Sequence, residues 1–182
     1  MSDILQPTIT RVVEAAARKG VRLDITILDD AIRSDEEIAA LAGVELAQIV
    51  KSLVFVASRP GGRLAPIVCL ISAQDRVDPG LLAAVAGEPS LRRATPAEAR
   101  DLTGFPLGVT PPFGYGSAVC VVMDQALGRH PMVWATAGVD FAGFPVPPAT
   151  LRVLANAAVG SVTEPHWAAS PALRLEPGSS TA

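Results

Sequence analysis

The 182-residue chain is 49% apolar with a net charge of −3, which provides core for one domain and too little positive charge to sheathe a nucleic-acid duplex, so any RNA contact should be local. No apolar run is long enough to span a bilayer and no basic segment followed by a long apolar core opens the chain, so no membrane partner and a cytoplasmic location are expected. The two histidines, His130 and His166, and the two cysteines, Cys69 and Cys120, have no cluster of ligands at metal spacing around them, which argues against a zinc site. His130 sits in a Gly-Arg-His-Pro turn and His166 begins the tail, which argues against a Ser/His/Asp triad. Neither metal nor cofactor is expected, and both thiols, lying in apolar strand-like runs, are read as buried and reduced.

In chain order, Thr10 to Lys19 has helical periodicity and Gly20 follows as a stop,. Leu23 to Leu28 alternates apolar and polar residues as a half-covered strand does,. Ser34-Asp-Glu-Glu37 has capping-box spacing and should start a helix running to about Ala42,. After Gly43, a helical turn over Val44 to Val50 should deliver Lys51 to a strand ending near Val56. The turn chemistry of Ser58 to Gly62 predicts an antiparallel hairpin of Leu53–Ala57 with Pro66–Ile71,. Asp78-Pro79 caps a helix reaching Ala86, and Thr95-Pro96-Ala97-Glu98 caps another from Pro96 to about Leu102, which leads into a loop from Gly104 to Gly116,. Strands follow at Val119–Met123 and Met132–Thr136, then a proline-rich turn, a helix from Pro148 to Ala155 and a strand near Val159–Val162. These elements alternate irregularly, and no Gly-x-Gly-x-x-Gly follows a strand. The expected fold is a single α/β (α+β) domain over residues 1–165, a mixed sheet flanked by helices, with a loose tail over 166–182.

Two stretches stand out chemically. Lys51 is a cation at the entrance of a buried strand, Gln48-Ile-Val-Lys51-Ser52-Leu-Val-Phe-Val56, and must either snorkel to water or face an anion. Gly108-Val-Thr110-Pro111-Pro112-Phe113-Gly114 is stiffened by its prolines, while its glycines permit a close backbone approach,. It reads either as a plain surface turn or as a loop holding amides against a ligand carbonyl. Asp124, ending a strand, either orients a ligand or accepts turn amides.

The runs Ser34 to Lys51-Ser-Leu-Val-Phe55, Asp75-Arg-Val-Asp78, Thr103-Gly104-Phe105, Gly108-xxx-Pro112 with Gly114, and Asp124 together resemble the YbaK/EbsC family. That family is similar to the editing domain inserted in bacterial prolyl-tRNA synthetases, and its characterised members hydrolyse mischarged aminoacyl-tRNA. The resemblance covers residues from about 10 to 164 and implies a curved, barrel-like sheet. It implies a free-standing trans-editing hydrolase that cleaves the aminoacyl ester without a metal. The implied partner is the 3′ end of aminoacyl-tRNA, with an aminoacyl-tRNA synthetase or a second copy of the chain as further candidates. The matching lysine of relatives faces the tRNA 3′ end and the Gly-xxx-Pro segment borders the aminoacyl pocket, which nominates Lys51, Gly108 and Pro112 as catalytic. Ser52, Thr110, Pro111, Phe113, Gly114, Asp124, Thr136, Gly138 and Asp140 are the substrate-binding candidates.

The chain departs from the family at one segment. Where better-known relatives resemble Ser-Ala-Gly-Lys-Arg-Gly-Leu-Asp, it has Thr136-Ala-Gly138-Val-Asp140-Phe-Ala-Gly143. The basic pair is gone and Gly143 replaces the aspartate, while Thr136 keeps the hydroxyl and Asp140 supplies a carboxylate. Tyr115 stands where relatives often have histidine or lysine. This segment keeps a second reading open, a catalytically silent module of the same fold that binds a tRNA end or small ligand.

Overall fold

A computed structural model describes residues 6–28 and 34–164; the tail expected over 166–182 lies outside them. The elements are α1 (Gln6–Ala17), β1 (Thr26–Ile27), α2 (Asp35–Ala42), β2 (Ile49–Ser58), β3 (Leu64–Ser72), α3 (Pro79–Ala86), β4 (Arg92–Arg93), α4 (Pro96–Thr103), β5 (Cys120–Asp124), β6 (Val133–Val139), β7 (Ala142–Val146), α5 (Pro148–Ala155) and β8 (Ala158–Gly160), with 3-10 turns at Leu46–Gln48, Pro60–Gly62 and Gln125–Arg129. The strands form one sheet in the order β1-β7-β6-β2-β3-β5-β8, with β4 added beside β2. The pairs β2·β6, β3·β5 and β5·β8 are parallel and the others antiparallel. This is the mixed α/β sheet with peripheral helices that the sequence predicts.

The predicted hairpin of β2 and β3 is the spine, paired in unbroken register from Val50↔Ser72 to Ser58↔Leu64. Its residues alternate between two cores. Val50, Val54, Val56, Val68 and Leu70 join the larger one, and Phe55, Ala57, Ile67, Cys69 and Ile71 a smaller one on the opposite face. A sheet covered on both faces needs apolar residues at every position, which is why these strands read as continuous apolar runs.

The helix starts follow their capping chemistry. Ser34 Oγ accepts from the Glu37 amide at 3.2 Å while the Glu37 carboxylate accepts from the Ser34 amide at 3.2 Å. Asp78 Oδ1 accepts from the Gly80 and Leu81 amides at 2.8 and 3.1 Å, and Thr95 with Glu98 repeats the reciprocal box,.

Several expectations need correction. The helix expected from Thr10 begins at Gln6; Pro7 fits its first turn, where no amide is required. The turn expected over Val44 to Val50 is only Leu46–Gln48, and β2 starts at Ile49. The strand expected over Leu23–Leu28 pairs only at Thr26 and Ile27. Where a proline-rich turn was expected, β7 pairs with β6 from Val133↔Val146 to Val139↔Ala142. Pro145 is tolerated there because β1 meets β7 only at Ala142 and Gly143, so the missing N–H falls on an unpaired edge. β8 ends at Gly160, and the Val162 amide instead donates to Asp124 Oδ2 at 2.9 Å. Cys69 is buried, as expected, and burial pushes its thiol up to about 12; Cys120, by contrast, is exposed because it opens β5 at the rim of the sheet.

The departing segment 136–143 has a packing explanation. A Cβ on Gly143 would lie 2.0 Å from Cη2 of Trp134, because the Trp134 indole, 4% exposed, lies across that backbone. Gly143→Ala should therefore cost about 1–3 kcal/mol of stability by overpacking. On a Trp134→Leu background the same change should cost clearly less, a non-additivity that denaturant unfolding of the four-member cycle would read. Additive effects would mean that Trp134 is not what excludes a side chain at 143.

Candidate functional site

The site lies where the ladder beside β2 is interrupted. On the side away from β3, β2 pairs with β6 at Ile49↔Trp134 and Val50↔Ala135, then with β4 at Phe55↔Arg93 and Val56↔Arg92. Among the described residues, Lys51 to Val54 have no strand opposite them on that side. Ile49 C=O accepts from the Ala73 amide on the β3 side and Val54 C=O accepts from the Ala94 amide on the other. By strand alternation the N–H and C=O of Ser52 therefore turn into the gap. The Ser52 side chain shares the inward face of Val50 and Val54, and its Oγ is buried with no hydrogen-bond partner among the described residues. A buried hydroxyl left unpaired in this way costs stability.

A cavity of about 380 Å³ fills the gap. Its walls are apolar side chains of Ile38, Leu53, Val54, Leu107 and Trp134, and its polar lining includes Lys51, Ser52, Thr110, Thr136, Asp35 and Arg93. The tip of the 104–116 loop closes it from across the gap. Gly108 is exposed, adopts φ +89, and a Cβ there would meet nothing within 4 Å. Its glycine thus serves backbone conformation and access to the cavity, since no neighbour crowds it. An adjoining lobe beyond Lys51 and Gly108 is lined by Ser34, Glu36, Val139 and Asp140.

The remainder of that loop is an anchor. Pro111, Pro112 and Phe113 are buried, and Phe113 packs on Phe144 with ring centroids 5.8 Å apart. Arg11 of α1 lies over the Phe105 ring, 4.4 Å from its centroid, and donates to the Gly114 carbonyl at 3.4 Å. The Tyr115 hydroxyl donates to the Pro111 carbonyl at 2.5 Å, and burial pushes the phenol's pKa up. The Thr110 hydroxyl donates to the Pro106 carbonyl at 3.0 Å. These contacts fix the base of the loop and leave Leu107 and Gly108 projecting into the cleft.

Of the predicted residues, Lys51, Ser52, Gly108, Thr110 and Thr136 come together, with Asp140 in the adjoining lobe. Thr136 Oγ1 donates to the Val139 carbonyl at 2.7 Å and accepts from the Gly138 amide at 3.2 Å, holding the β6 bulge. Gly138, at φ +92, is packed so closely that a Cβ would meet Thr8 at 2.7 Å and Phe105 at 3.0 Å. Asp124 is placed elsewhere. It is 1% exposed, and its carboxylate accepts from the Ala126 and Val162 amides at 2.8 and 2.9 Å, the turn-amide role weighed for it above.

The sequence reading missed Asp35, Arg93 and Trp134. Asp35 Oδ2 lies 2.5 Å from Lys51 Nζ, with the two side chains 29% and 42% exposed; it was read only as part of a helix start. Next to it, Glu36's carboxyl is held below its ordinary value, first by its backbone hydrogen bond, then by Ser34, with the Lys51 charge adding to this. The acidic helix start therefore balances Lys51. Among the described residues no group of three His, Cys, Asp or Glu is placed to hold a metal, and no helix is long and apolar enough to cross a membrane.

Comparison with known proteins bears on what such a cleft does. A 129-residue match, 25% identical, relates the chain to the multifunctional Ser/Thr-tRNA deacylase ProXp-y of Escherichia coli, covering 70% of this chain and 76% of that protein. The proline–tRNA ligase of Methylobacillus flagellatus is 34% identical over 92 residues, which cover 50% of this chain and only 16% of the ligase. The crystal structure of a candidate trans-editing enzyme for prolyl tRNA synthetase superposes with a TM-score of 0.79 at 37% identity, covering 88% of this chain and 99% of that one. The family model of the aminoacyl-tRNA editing domain matches residues 29–154, which include β2, the Gly108 loop and the whole cleft, and the chain belongs to that family.

Proposed function

We propose that the protein is a free-standing editing hydrolase that cleaves the ester joining a mischarged amino acid to the 3′ end of tRNA, without a metal. The observation that carries this reading is the buried Oγ of Ser52 in the interrupted ladder, without a hydrogen-bond partner among the described residues, in a cavity that the Gly108 tip also lines. A native fold keeps an orphan hydroxyl where something else supplies its partner, and a polar carbonyl compound entering this cavity would do so. The deacylase and trans-editing relatives support the choice of an aminoacyl ester.

In hydrolysis, water adds to the ester carbonyl carbon, the carbon–oxygen bond to the ribose breaks, one of the water's protons goes to the RNA hydroxyl that leaves, and the other passes to solvent as the amino acid departs as its carboxylate. The ester is already activated, so the protein's task is to position water and to stabilise charge developing on the carbonyl oxygen. Amides at Ser52 and at the Gly108 tip are preorganised donors for that charge. Lys51 has three N–H donors and Asp35 takes one, leaving donors for the terminal ribose or phosphate oxygens,. Thr110, Thr136 and Asp140 line the space for the aminoacyl group, and Pro111, Pro112, Phe113, Gly114 and Gly138 hold that lining in place.

A deacylation screen of the protein over a panel of mischarged tRNAs tests the reading; binding without release from any of them would favour the silent module. EDTA should leave the rate unchanged, whereas a loss restored by zinc would contradict a metal-free reaction. Lys51→Met should lower kcat/KM at least about tenfold, about 1.4 kcal/mol of transition-state stabilisation, with a stability change within about 1 kcal/mol because its ion pair is partly solvent-exposed,. Wild-type turnover by a folded Lys51→Met would remove Lys51 from the site. Ser52→Ala should hold or raise thermal stability, because it removes an unsatisfied buried group, while lowering kcat/KM. A fall in stability with full activity would make Ser52 a purely structural residue.

A further inference from the structure

The charges around the cleft are unequally distributed, and this identifies a further substrate-binding residue that deepens the reading above and rests on it. At one end Lys51 is matched by Asp35 at 2.5 Å, with Glu36 and Asp140 close by in the adjoining lobe. At the other end stands Arg93, exposed and with no ion pair to any described residue. Its neighbour Arg92 donates to both carboxylate oxygens of Glu98 at 2.8 and 2.7 Å and is thereby neutralised. Successive strand residues face opposite ways, so the two arginines of β4 divide: Arg92 serves the start of α4, and Arg93 turns to the other face.

That face is the one carrying Lys51, Leu53 and Phe55. Arg93 is the cross-strand partner of Phe55, and its guanidinium lies over the Phe55 ring, 4.9 Å from the centroid. Phe55 is itself 2% exposed, so the plane of the guanidinium is held by a fixed platform. A groove of about 380 Å³ runs along this face between Lys51 and Arg93, floored by Leu53 and Phe55 and opening beside the cavity that both cations also line. Its far wall carries Asp75, Arg76 and Glu164. Phe55 lies four residue steps along β2 from Lys51, about 13 Å at the usual rise per residue.

We propose that Arg93 is a positioning residue that binds a phosphodiester of the substrate's single-stranded 3′ end, and that the groove from Arg93 to Lys51 carries that strand to the cleft. An aminoacyl-RNA end has an ammonium at its amino-acid terminus and phosphates on its nucleic-acid side. The acidic lobe beyond Lys51 and the Arg93 guanidinium at the other end match that polarity, so the substrate enters in one direction. A rigid planar fork suits phosphate oxygens, which can accept two parallel hydrogen bonds from it.

The test measures hydrolysis of two substrates bearing the same mischarged amino acid, the full tRNA and an aminoacyl-adenosine without phosphates, across a range of salt concentrations. For the tRNA, Arg93→Gln should raise KM at least about fivefold with kcat unchanged, and should reduce the magnitude of the slope of log(kcat/KM) against log[salt] by about 0.7, the release expected for one single-strand phosphate contact. For aminoacyl-adenosine it should change nothing. Arg93→Lys should keep most of the salt slope, and Arg92→Gln should leave it unaltered. Equal losses on both substrates, or an unchanged salt slope in a folded Arg93→Gln, would overturn the assignment to Arg93 while leaving the editing activity standing. Failure of the wild-type protein to hydrolyse either substrate would overturn the editing reading and this assignment with it.

Discussion

The site depends on a strand whose two edges are treated differently. One edge of β2 is hydrogen-bonded to β3 along its length, and among the described residues the other is paired only near its ends, with β6 and with β4. A buried strand cannot leave backbone groups unpaired without cost, so an interruption in its ladder marks a place where a side chain, water or a ligand can supply the partner. Here the interruption coincides with Lys51 and Ser52. The continuous pairing with β3 holds this segment rigid, and residues aligned by a rigid sheet need no reordering when a ligand arrives.

The loop across the gap applies the same division between support and contact. Arg11, Phe105, Phe113 and Tyr115 fasten its base through cation–π, aromatic and hydrogen-bonded contacts. Gly108 at its tip has open space around it. The Trp134–Gly143 packing is a second adjustment in the cleft wall. An indole occupies the room that a side chain at 143 would need, and the cavity is bounded by an aromatic surface there.

Much of the fold was legible because it is set locally. Reciprocal boxes at Ser34 and Thr95, the Asp78-Pro79 start and the turn after Ser58 act within a few residues, and each appears where its chemistry predicts. The unread parts arise from contacts between distant segments. β7 contains Pro145 and looks like a turn until it is known that β1 leaves that position of its edge unpaired. The cleft was half legible. Lys51 and Gly108 stand out as a misplaced cation and a permissive glycine, whereas Asp35 looks like any acidic residue in a first helical turn and Arg93 like one of two rim arginines. Their places at the cleft follow only when the packing of α2 sets Asp35 against Lys51 and strand pairing sets Arg93 against Phe55. The loop from 108 to 114 read as a single functional unit, but the sheet uses its tip at the cleft and packs its remainder into the core.

The central claim is that the ester-bearing end of the substrate sits in the gap beside β2. A non-hydrolysable 3′-amide analogue of aminoacyl-adenosine, titrated into isotopically labelled protein, would test it through amide chemical shifts. Saturable shifts confined to Lys51–Val54 and Leu107–Thr110, with the Ser52 amide among the largest, are the predicted result. Saturable shifts centred instead on the groove lined by Asp124, His130 and Arg152, with the Ser52 and Gly108 amides unmoved, would contradict it.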